Sequence, residues 1–265
     1  MPASYTDLLG SEILLHYDVS DSSTLFTDEA CTSAASDGNE VKGVTSQSDA
    51  ALSPNMTGAN GPTYRANYAA SGYAALEFDG VNDRLGNATT GLLAERFFVL
   101  AAYTPISGAD ETIWCRGSIA GPFVRFLYIG TGALQSYVQT RESGSVYSFQ
   151  LPTGVSSKVV VVVEAANELT QVSSGTSTYG KATDAIDASL TEKFYFGAGE
   201  NSGIYQPANA AIHEIMLVGK NAEFGQVVRA STIMRDKWGV ADNNALPVVS
   251  GGAVLNRGIM SGGSL

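Results

Sequence analysis

Charge is scarce in this chain. Only 15% of its 265 residues are Asp, Glu, Lys or Arg, and the basic ones are outnumbered 15 to 26, a formal balance of −11. A phosphate backbone would be repelled rather than steered in, so bulk charge argues against nucleic acid as a partner. An anionic membrane surface is disfavoured for the same reason. Histidine and cysteine are nearly missing, with 2 of each. His16 and His213 are too few for a multi-His metal site, and Cys31 and Cys115 fit no zinc-ligand spacing. The cysteines read as two reduced thiols, with one long-range disulfide as the alternative. Long apolar runs are also lacking. A run such as Val159 to Val163 falls far short of the roughly 20 residues of a spanning helix. Residues 1–20 contain no Lys or Arg and a single apolar cluster, Ile13-Leu14-Leu15. A secretory leader needs a basic start and an apolar stretch of about 7–15 residues, so none is expected. Asn55-Met56-Thr57 and Asn87-Ala88-Thr89 match the glycosylation acceptor pattern and are read as chance in a chain made in the cytosol.

What the chain does have is strands and turns. At 44% hydrophobic and 9% aromatic it can bury a core, and 29 Gly supply turns. Runs rich in Val, Phe, Tyr and Ile alternate with Gly, Ser, Asn and Thr clusters, which is an all-β signature. Arg96 to Tyr103 and Val159 to Val163 are apolar at successive positions, as strands covered on both faces are. Leu134 to Gln139 and Val146 to Leu151 alternate with period two. About ten to thirteen strands are too many for one open sheet and suit two packed antiparallel sheets.

One amphipathic helix breaks the pattern over residues 222–238. Phe224, Val227, Val228, Ser231, Met234 and Trp238 make a single helical stripe. Asn221 is expected to cap it, Arg235 and Lys237 suit its negative end, and Gly239 closes it. Residues 20–71 form a long irregular insert, interrupted by short strands near Glu40 to Val44. The division expected is a sandwich domain over 1–240 and a Gly-rich arm over 241–265. The arm is too poor in apolar residues to fold alone. Pro247, Val254, Leu255, Ile259, Met260 and Leu265 would dock it on a neighbouring subunit.

Three segments carry a resemblance. Leu15-His16-Tyr17-Asp18-Val19-Ser20-Asp21-Ser22-Ser23-Thr24-Leu25 looks like an opening strand and its turn. Ala75-Leu76-Glu77-Phe78-Asp79-Gly80-Val81-Asn82-Asp83 is similar to an "L-x-F-D-G-x-x-D" step. Ile212 to Val218, followed by a helix ending Lys237-Trp238-Gly239, looks like a final strand and closing helix. In this order they resemble the concanavalin A-like lectin/glucanase superfamily, in the laminin G-like form found in tailed-bacteriophage virion proteins. The resemblance implies a jelly-roll sandwich. It departs from the pattern at Asp28 to Ala51 and at Ser173 to Thr178, so a ligand site on those loops does not carry over.

The superfamily includes glucanases, whose retaining members need two carboxyls about 5–5.5 Å apart. Glu77-Phe78-Asp79 is the nearest match to their motif, but no second Glu follows. The chain is therefore expected not to be an enzyme. His213 and Glu214 are adjacent on a strand, which places them on opposite faces and denies them a dyad. Asp79, Asn82 and Asp83 read as turn formers. A calcium site on their oxygens is the sharper alternative, though calcium wants about six to eight ligands; no other cofactor is implied. Tyr137, Tyr147, Phe149, Tyr195 and Tyr205 are the aromatics available to stack on sugars, against the plainer reading that most are core. Trp238 reads as a core anchor. The function expected is a structural protein exposed on a phage virion, as capsid decoration or fibre. It would assemble with other virion proteins and copies of itself, and would be able to touch host polysaccharide. The alternatives are a stand-alone glycan-binding module and, last, a glycoside hydrolase.

Overall fold

The computed structural model describes residues 4–48, 56–70, 72–86, 96–106, 111–117, 123–131, 133–142, 145–150, 159–166, 169–174, 177–182, 194–200 and 204–240. The arm, including Pro247, Val254, Leu255, Ile259, Met260 and Leu265, lies outside them, as does the acceptor pattern at Asn87. Among the described residues the protein is an all-β sandwich of two antiparallel sheets, with a helix on the outside of one. No described helix is long and apolar enough to cross a membrane.

The first sheet runs Ser177–Ala182, Leu169–Ser174, Val159–Ala166, Arg96–Pro105, Ala210–Val218, Ala75–Glu77, Thr63–Arg65. The opening strand, Ile13–Asp18, pairs with the same central Ala210–Val218 strand. The second sheet runs Ser145–Gln150, Ala133–Glu142, Phe123–Thr131, Glu111–Gly117, Phe194–Phe196, Leu85–Gly86, Met56–Thr57, Gly43–Val44, Leu25–Phe26. The last three two-residue pieces resolve much of the irregular insert: short edge strands pinned by turns.

Arg96–Pro105 shows why the chain needs apolar residues on both faces of a strand. Phe97, Val99, Ala101 and Tyr103 point into the core between the sheets, with Leu15, Tyr17, Phe78, Trp114 and Phe196. Phe98, Leu100 and Ala102 face the other way, onto Val227, Ala230, Met234 and Trp238 of the helix. Burying both faces removes apolar surface from water twice along one strand, at about 25 cal/mol per Å². Gly197 marks a close approach to the core residue Phe78. Its φ is +77°, and a Cβ there would lie 2.1 Å from the Phe78 ring, so only glycine fits.

The helix spans Phe224–Lys237. Its cap corrects the expectation. Glu223 is the N-cap, its N–H donating to Gln226 Oε1 at 3.0 Å. Asn221 instead donates to Glu12, from its backbone N and from Nδ2, both at 3.0 Å. A carboxylate from the start of the chain outcompetes the local capping geometry. Gly239, with φ +61°, follows the helix as expected. A short helix, Tyr5–Leu9, was not expected. Ser4 Oγ accepts from Asp7 N at 3.1 Å and Asp7 Oδ2 accepts from Ser4 N at 2.8 Å, a capping box.

Candidate functional site

The polar centre of the described structure sits where the two ends of this frame meet. The opening strand buries Leu15 and Tyr17 in the core, so alternation turns His16 and Asp18 toward the helix side. The central strand delivers Glu214, and the last helical turn delivers Lys237 and Trp238. Glu214 is fully buried. Its Oε1 accepts from His16 Nε2 at 2.7 Å. Its Oε2 accepts from Trp238 Nε1 at 2.5 Å and from Lys237 Nζ at 3.0 Å. Lys237 Nζ also donates to Asp18 Oδ2. Asp18 Oδ1 accepts from Ser20 N at 3.0 Å and Ser20 Oγ at 2.5 Å.

Burial alone would raise the Asp18 carboxyl. The Lys237 and Ser20 hydrogen bonds and the Lys237 charge outweigh it and hold the group below its ordinary value. Tyr5 closes the cluster, its ring edge-on to His16 at 5.4 Å. Its hydroxyl is buried beside the Glu214 carboxylate. Burial first, and the Glu214 charge second, push that phenol well above its usual range. The ligand atoms of His16, Asp18 and Glu214 lie within 4.8 Å of one another. The cation standing among them is the Lys237 ammonium.

The expectation that His213 and Glu214 occupy opposite faces is overturned. The pairing of Ala210–Val218 with Arg96–Pro105 slips between Ile212, opposite Tyr103, and Glu214, opposite Ala102. His213 is the extra residue of this bulge, so both side chains turn to the helix side. They still bond different partners. His213 Nδ1 donates to Ala74 O at 2.7 Å and Nε2 accepts from Thr104 Oγ1 at 2.8 Å, with its ring 5.1 Å from that of Trp238. Trp238 is 1% exposed, the anchor it was read to be.

The other sequence candidates scatter. Asp79 Oδ1 accepts from Val81 N at 2.7 Å and Asn82 N at 3.3 Å, while Asp83 Oδ2 accepts from Asp79 N at 2.9 Å. These oxygens close a turn on backbone donors. Burial pushes the Asp83 carboxyl up to about 6; the Asp79 N–H opposes this, and the Asp79 and Glu40 charges add to it. Glu77 pairs with Arg65 at 2.6 Å. Cys31 and Cys115 are not joined in a disulfide.

Tyr195 is 5% exposed, with the Arg84 guanidinium 5.0 Å over its ring. Tyr137, Tyr147, Phe149 and Tyr205 stand on described strands, but their side chains lie outside what is described. The register places Phe149 opposite Val138 and Tyr147 opposite Thr140. Positions 147 and 149 therefore share a sheet face, and position 137 belongs to the other.

No protein-family model matches the sequence, and no curated protein matches it by sequence. Solved structures do match in fold. Domain 4 of AbnA, a GH43 extracellular arabinanase from Geobacillus stearothermophilus, seen in complex with arabinotriose, is similar at TM-score 0.55 and 14% identity, over 83% of this chain and 98% of that domain. Full-length tailspike protein 2 from Escherichia coli O157:H7 bacteriophage CAB120 is similar at TM-score 0.51 and 14% identity. That match spans 68% of this chain and 27% of the tailspike. At such identity the likeness concerns the fold: this chain shares the β-sandwich of a sugar-complexed arabinanase domain and of part of a phage tailspike.

Proposed function

We propose that the protein is a non-enzymatic, glycan-contacting sandwich exposed on a tailed-phage virion. The observation that carries this reading is the fold match over 98% of an arabinanase domain that was seen holding arabinotriose. The tailspike match and the phage-like motifs at Leu15, Ala75 and Ile212 support the virion setting. The disposition of the acids supports binding over hydrolysis. Glu77 is tied to Arg65, and Glu214 is buried under His16, Lys237 and Trp238, so neither is offered to a substrate. In this reading position 137, on the face of the second sheet opposite to that of the core residue Trp114, supplies a stacking position, and residues 241–265 dock the domain on its virion neighbours.

A glycan array with the full chain tests the binding. Retention of oligosaccharides, weakened at least tenfold in a Tyr137→Ala variant, is the outcome expected; a blank array removes the sugar. Mass spectrometry of purified particles tests the setting, since the chain must be found in them. A sugar-positive chain absent from particles favours the stand-alone module.

A further inference from the structure

We propose that the folded chain joins Lys237 to Asp18 by an intramolecular isopeptide bond, with Glu214 as the catalytic proton carrier. The three groups that such a condensation needs are together here. An amine, Lys237 Nζ, rests against a carboxyl oxygen, Asp18 Oδ2. A second carboxylate, Glu214 Oε2, stands 3.0 Å from the same nitrogen. It is fully buried, and the His16 and Trp238 donors fix its orientation at 2.7 and 2.5 Å.

The two oxygens of Asp18 are differentiated in the way the reaction requires. Oδ1 is held by the Ser20 N–H and hydroxyl, donors placed where negative charge develops in a tetrahedral intermediate. Oδ2 faces the amine and is the oxygen that leaves. The surroundings favour the product. The Trp238 ring lies 4.7 Å from Nζ, and Tyr5 covers the cluster. An amide there carries no charge on either partner, whereas the ion pair keeps two partly buried ones. Folding supplies the proximity: the groups are 219 residues apart in sequence and in contact in the fold.

The step balances. The Lys237 ammonium passes a proton to Glu214, and the freed amine lone pair attacks Asp18 Cγ. The C–N bond forms and the bond from Cγ to Oδ2 breaks. Oδ2 departs as water with two protons from the nitrogen, relayed through Glu214, which ends as the carboxylate it began as. One positive and one negative charge are lost together, and no co-reactant is consumed. His16 and Trp238 act through Glu214 as positioning residues.

Intact-mass measurement of the denatured full chain decides the matter. The expected mass is the sequence mass less one water, with proteolysis yielding a branched peptide that contains both residue 18 and residue 237. Lys237→Arg keeps the charge but cannot form the bond, and is expected at full mass. A wild-type chain at full mass, with Lys237 recovered in an unmodified linear peptide, overturns the proposal without recourse to any variant. A water loss that maps elsewhere, for instance to a succinimide at Asp37-Gly38 or Asp79-Gly80, overturns it equally.

Discussion

At the helix end, Asp18 and Glu214 are met by Lys237, His16 and Trp238. At the turn after Phe78, Asp83 is met by one backbone N–H and by the charges of Asp79 and Glu40. Both places bury carboxylates, and burial pushes both the same way. The partners decide the outcome. A cation within bonding distance holds Asp18 below its ordinary value, while like charges leave Asp83 raised to about 6. The first arrangement ties two ends of the chain together; the second only closes a local turn, under a charge that the fold tolerates poorly at neutral pH.

The largest effect should come from Glu214→Ala, which strands Lys237, His16 and Trp238 without their common acceptor. Breaking a buried, hydrogen-bonded charge cluster costs about 3–5 kcal/mol, so urea melts should show loss of most of the stability of the helix layer. Measured against Lys237→Arg, which keeps the charge and also lacks the bond, Lys237→Met should cost less, about 2 kcal/mol, because this side chain is partly exposed. It would also convert the helix site into a second Asp83 site, with two carboxylates facing each other. Without its cation, the variant should lack the stability that the ion-paired Asp18 carboxylate contributes above the ordinary carboxylate range and loses as pH falls below it.

Asp83→Asn is the next smaller change. A carboxyl raised from 3.8 to about 6 on folding favours the fold below its unfolded value and loses that benefit as pH rises through about 6. The Asn variant should match wild type near pH 4 and exceed it at pH 7.5, by about 1 kcal/mol once solvent screening is allowed for. Denaturant unfolding at the two pH values reads the difference. Smallest of all is Arg65→Ala. Its pair with Glu77 is short but half-exposed, and such pairs are worth about 0–1 kcal/mol; a melting shift as large as that of Glu214→Ala would undo the ranking by burial.

The frame was legible because it rests on local periodicity. Arg96 to Tyr103 reads as a doubly covered strand, and the stripe from Phe224 to Trp238 gives a helix within two residues at either end. The Ser4-to-Asp7 capping box was equally readable and was missed because five residues carry no periodicity. The polar cluster was not legible. His16 and Asp18 are 198 and 219 residues from their partners. The alternation rule misdirects at His213, where one inserted residue returns both it and its neighbour to the same side. Pairing register, not composition, decides that. The aromatic candidates show the same limit: Tyr137 and Tyr147 look alike in sequence, yet fall on opposite faces through the register of Ala133–Glu142 with Ser145–Gln150.

The position of Lys237 also has a mechanical side. It lies at the very end of its helix, and its ammonium reaches both the opening strand and the central strand. A pull on the chain beyond Val240 would arrive at Asp18 and Glu214 after a few residues, bypassing the helical turns behind it. The helix, which alone would unwind turn by turn under modest tension, is left out of the load path. The load falls instead on a strand pair in shear, from Ile13 opposite Val218 to Asp18 opposite Glu214. A sandwich anchored through its last segment would hold its shape under drag.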